Sequence, residues 1–71
     1  MENKAPAIAD ALELLYLNQI ALRAAIEEIS TWVRQRGSVN AHENAMGALA
    51  TLDTNEDALN AAILRLRSQL L

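Results

Sequence analysis

The sequence has no cysteine and no phenylalanine, one proline, two glycines and only two aromatic residues, Tyr16 and Trp32. Without cysteine there is no disulfide framework and no thiolate metal site. Two glycines, Gly37 and Gly47, cannot build a glycine-rich phosphate loop. Few β-branched and aromatic residues argue against a sheet core, which draws on Val, Ile, Tyr and Phe. No run approaches the roughly 18 consecutive apolar residues of a membrane-crossing helix. Asp10 and Glu13 interrupt any apolar leader segment, so a cytoplasmic protein is expected. The net charge of −3 opposes broad attraction to nucleic acid or anionic membranes, leaving only local basic patches for such roles.

What is present is alanine and leucine, the strongest helix formers, within a 52% hydrophobic composition. The 71 residues make one small helical domain, 1–71, and all-α is the expected class. A domain of this size buries only about 60% of its unfolded surface, so association with another chain is the expected source of further stability.

Pro6 suits a first helical turn. Arg34-Gln35-Arg36 before Gly37 form a helix stop, and Ser38 or Asn40, the latter with Glu43 three residues on, can cap a second helix. Two heptad seams follow: Ile8, Leu12, Leu15, Gln19, Leu22, Ile26, Ile29 and Val33, then His42, Ala45, Leu49, Leu52, Glu56, Leu59, Ile63, Leu66 and Leu70. Folding the chain at about residue 37 matches Leu12 to Ile63, Ile26 to Leu49 and the polar Gln19 to Glu56. The pattern therefore predicts an antiparallel helical hairpin, about 6–36 and 39–70. The rival is a three-helix bundle with a break near 53–55, Thr54 capping the last helix and Asp57 completing the box.

The first helix is apolar well beyond its seam, with Leu14, Leu17, Ile20, Ala21 and Ala24 off the a/d positions. A helix apolar on most faces is buried on most faces. These five residues are the expected self-association surface of a homodimer that forms a four-helix bundle, with Ala41, Ala48, Ala62 and Gly47 permitting close approach along the second arm.

Little invites catalysis, and the protein is expected not to be an enzyme. His42-Glu43 begins like a zinc-protease helix, but Met46 stands where a second histidine is required. Neighbouring carboxylates at Glu27-Glu28 and Glu56-Asp57 point about 100° apart on a helix and share no site. Ser30, Ser38 and Ser68 have no histidine–acid partners at informative spacing. No cofactor or metal is expected. The cations Lys4, Arg23, Arg34, Arg36, Arg65 and Arg67 gather mainly toward the two ends of a hairpin, where helix dipoles favour them and where a nucleic-acid backbone would find few partners. Trp32, Arg34, Arg36 and His42 meet near the turn and form the candidate protein-contact site, since Trp and Arg are favoured at interfaces.

In length and heptad layout the chain resembles the repressor-of-primer type of helical hairpin, which dimerises into a four-helix bundle and binds paired RNA loops. The RNA-binding residues of that type have no position-by-position counterpart here, so the likeness implies architecture and not function. The central stretch LRAAIEEISTWVRQRGSVNAHENAMGALATLD is similar to short uncharacterised bacterial proteins of all-helical type, and that similarity implies no activity.

Overall fold

A computed structural model describes residues 3–69. Helix α1 spans Ala5–Gln35 and helix α2 spans Val39–Ser68, and the two pack side by side as an antiparallel hairpin with Cα extents of 58 × 15 × 13 Å. Leu70, the last seam position read from the sequence, lies outside the described residues.

Each end follows from local chemistry. Pro6 sits in the first turn of α1, and the Asn3 Oδ1 accepts the Ala5 N–H at 3.0 Å, pairing one of the donors a helix start leaves open. At the other end Gly37 takes φ +100°, the Gly37 N–H donates to the Arg34 carbonyl at 3.0 Å, and the Ser38 N–H donates to the Val33 carbonyl at 3.1 Å. This pair of bonds is a Schellman stop, which uses a glycine at the left-handed position. Helix α2 then begins without a side-chain cap: Ser38 occupies the N-cap position, and the box expected of Asn40 and Glu43 does not form because both already lie inside the helix.

The three-helix alternative fails at 53–55. Helix α2 runs unbroken through these residues, and the Thr54 hydroxyl donates back to the Ala50 carbonyl at 3.2 Å instead of capping a new helix.

The seam of α2 is the one read from the sequence. His42, Ala45, Leu49, Leu52, Glu56, Leu59, Ile63 and Leu66 are all buried or half-buried. The seam of α1 is turned by roughly 50°, half the 100° step between adjacent residues. Ala9, Leu12, Tyr16, Gln19, Arg23, Ser30 and Val33 face α2, whereas Ile8, Leu15, Leu22 and Ile29 remain 52%, 60%, 62% and 62% exposed. Small side chains at Ala9 and Ser30, both buried, permit close approach of the helices there. Arg23 supplies a bidentate tie to Asp53 across the same face. The heights match the predicted fold axis, since Arg23 meets Asp53, Ser30 meets His42 and Arg67 meets Asp10.

Candidate functional site

The rotation of α1 leaves an apolar groove along one side of the hairpin. Across the middle of the hairpin it is lined by Leu12, Leu15, Leu22, Leu52 and Leu59, with the amides of Asn18, Gln19 and Asn55 at mid-length. Toward the turn it continues past Ile26, Ile29, Val33, Ala41 and Ala45. No Asp, Glu, Lys or Arg lines either stretch. The sequence pattern held the residues of this groove but assigned the α1 leucines to the interior of the hairpin.

The other edge is polar. Arg23 donates to both carboxylate oxygens of Asp53 and, at 2.6 Å, to Glu27, while Arg67 donates to Asp10 at 3.0 Å and to Glu13 at 2.7 Å. The hydrogen bonds from Arg23 hold the Asp53 carboxyl below its ordinary value. The same partnerships push the Arg23 and Arg67 guanidinium groups further up, chiefly through the hydrogen bonds to Asp53 and to Asp10 respectively. Thus the hairpin has one edge stitched by charge and one edge with none.

The five residues expected to mediate self-association, Leu14, Leu17, Ile20, Ala21 and Ala24, are all exposed. At 100° per residue, Leu14, Leu17, Ala21 and Ala24 form a strip on the outer side of α1, and Trp32 falls on its continuation. Nine of the twelve large apolar side chains that stand exposed among the described residues belong to α1, which makes α1 the helix in need of cover.

The four turn-end candidates divide into two pairs. The Arg36 guanidinium lies 4.9 Å from the centroid of the half-exposed Trp32 ring, a cation–π arrangement on the outer face. Arg34 and His42 share a shallow hollow with Val39, Glu43 and Met46 on another face. The structure therefore does not unite all four in one site.

His42 is half-buried and reaches into the seam, where its Nδ1 lies 3.0 Å from the Ser30 Oγ and 3.2 Å from the Ser30 carbonyl oxygen. A carbonyl oxygen only accepts, so contact with it is satisfied when Nδ1 carries the proton. The Ser30 hydroxyl is then free to donate to the His42 carbonyl, 3.5 Å away. In either tautomer the pair ties the two helices. No local spacing in the sequence links Ser30 to His42, because the two sit on different helices.

Glu56 behaves differently. Its Oε1 is buried and has no hydrogen-bond partner within the chain. Gln19, which the heptads place in the same layer, makes no hydrogen bond to it. No group of three or more His, Asp or Glu residues able to hold a metal occurs among the described residues, and no helix there is long and apolar enough to cross a membrane.

Comparison with family models, with curated proteins and with solved structures finds no match to the chain. Its functional reading rests on its own surface.

Proposed function

We propose that the chain is a non-enzymatic protein–protein interaction module or small regulator that acts as a homodimer. The observation that carries this reading is the unpartnered apolar surface of the hairpin. A folded monomer of 7.8 kDa is expected to expose about 4,400 Å². The hairpin exposes 5426 Å², a surplus on the order of 1,000 Å². Each partner of a stable complex buries about 800 Å², so the surplus is of the size that one interface removes. The outer strip of α1 with Trp32 and Arg36 is a second surface, suited to a protein partner of the dimer. A cytoplasmic setting fits a chain without cysteine.

Light scattering at micromolar concentration tests the reading: twice 7.8 kDa supports it, and the mass of one well-folded chain overturns it. The alternative is a nucleic-acid-binding regulator that uses the arginine ends. It is favoured by Arg34 and Arg36, which make no salt bridge among the described residues. Against it, Arg67 at the open end is already held by Asp10 and Glu13. A steep loss of RNA or DNA affinity with added salt, reduced by Arg34→Ala and Arg36→Ala, would move this alternative to the front.

A further inference from the structure

The charge-free groove has an order that a single hairpin does not require. Along α1 its exposed ridge reads Ile8, Leu15, Leu22, Ile29, the same in both directions about a centre between Asn18 and Gln19. Along α2 the large residues Leu52 and Leu59 stand symmetrically about a centre between Asn55 and Glu56. The cross-helix pairs Arg23–Asp53 and Ser30–His42 show that these two centres lie at nearly the same height along the hairpin. They also coincide with the polar level, where Asn18, Gln19 and Asn55 interrupt an otherwise apolar groove.

We propose that the occupant of this groove is a second copy of the chain, running in the opposite direction, with the twofold axis crossing both helices at the level of Asn18, Gln19, Asn55 and Glu56. This inference rests on the homodimer reading and adds the face and the orientation. In this arrangement α1 lies against α1 of the other copy and α2 against α2. Ile8 then faces Ile29, Leu15 faces Leu22, and Leu52 faces Leu59, so apolar levels meet apolar levels and polar meets polar.

Three further features agree. The groove tapers: α2 offers Ala41, Ala45 and Ala48 near the turn but Leu59 and Leu66 in its outer half. Antiparallel stacking sets the small half of one copy against the large half of the other, which equalises the volume of successive layers. Stacking with both turns together would place small on small at one end and large on large at the other. Secondly, the buried Glu56 Oε1 lacks a donor, and the twofold brings a second set of Asn18, Gln19 and Asn55 amides to its own level. Thirdly, a face of 58 Å by 15 Å offers each copy on the order of 800 Å², the area a partner in a stable complex buries.

The test uses the absence of native cysteine. Ser38 is exposed in the turn and makes no side-chain cap bond, so Ser38→Cys accepts one spin label per chain without touching the groove. Each turn stands about 18 residues from the twofold, so at 1.5 Å per residue the antiparallel dimer places the labels roughly 55 Å apart. A dipolar distance near that value, with a mass of two chains, supports the proposal. A dimer with labels within roughly 20 Å, about two helix diameters, overturns the orientation while leaving the homodimer reading intact. A mass of one chain overturns both. The face is tested separately by Leu22→Glu in the groove and Leu17→Glu on the outer strip, each with helix content followed by circular dichroism. Loss of the dimer with Leu22→Glu and its retention with Leu17→Glu support the groove, and the reverse overturns it.

Discussion

Truncating Leu22 to alanine separates a solvent-facing leucine from one that a second copy covers. In the hairpin alone the side chain is 62% exposed, and removing such a group shifts stability by no more than about 0.5 kcal/mol. Covering it adds the remaining part of a leucine burial, which is worth about 1.5–3 kcal/mol when complete. The uncovered share is then roughly 1–2 kcal/mol per copy and 2–4 kcal/mol per dimer. At 1.4 kcal/mol per tenfold, Leu22→Ala should raise the dimer Kd by about 30- to 700-fold. Sedimentation equilibrium over a range of concentrations measures the Kd, and circular dichroism checks that the helices persist. Leu49→Ala is the reference, since Leu49 is only 1% exposed and its truncation should cost about 2–5 kcal/mol whatever the oligomeric state. A Leu22→Ala protein that dimerises as tightly as the parent would refute the covered-groove reasoning.

Two glycine substitutions should act with opposite signs. Gly37→Ala meets no neighbouring atom but forces a side chain onto φ +100°, and should lower stability by about 1–3 kcal/mol in chemical denaturation. Gly47→Ala also meets open space, but within α2, and should raise stability by about 0.5–1 kcal/mol in the same assay. The Arg23–Asp53 tie should show in acid. Because the folded Asp53 carboxyl lies below its ordinary value, its contribution is complete above the ordinary carboxylate range near pH 4 and vanishes as pH falls through the lowered folded value. Thermal melts of the parent and Asp53→Asn should therefore differ at pH 7 and converge in strong acid; an equal gap at all pH values would show that the ion pair is not the cause.

The hairpin was legible because its signals are local or periodic. Pro6, the Arg34–Gly37 stop and the α2 heptads each act within a few residues, and α2 buries the stripe those heptads define. The face that α1 turns toward α2 was not legible. Ile8, Leu15, Leu22 and Ile29 are better core residues than Ala9, Tyr16, Arg23 and Ser30, and on hydrophobicity alone they belong inside. Cross-helix partners decide otherwise: Asp53 for Arg23, His42 for Ser30 and the full burial of the small Ala9, none of which a single-helix pattern contains. For the candidate site, the turn-end residues were found by type, but their division between two faces depends on the seam rotation. Leu14, Leu17, Ile20, Ala21 and Ala24 were recognisable as surplus apolar surface because α1 has more apolar positions than one partner helix can cover.

The three-residue connection Arg36-Gly37-Ser38 also sets a sequence of events. Pairs nearest the turn close the shortest loops, so the Ser30–His42 tie has the smallest closure entropy, Arg23–Asp53 a larger one, and Arg67 with Asp10 and Glu13 the largest. The hairpin should zip from the turn outward and fray at the end away from the turn, with amide exchange slowest around Ser30 and Leu49 and fastest near Asp10 and Arg67. Uniform protection along both helices would instead mean that opening is all-or-none. In a graded molecule, the arm segments around Asp10 and Arg67, farthest from the turn, are the part of the hairpin that a protease or a passing partner meets first.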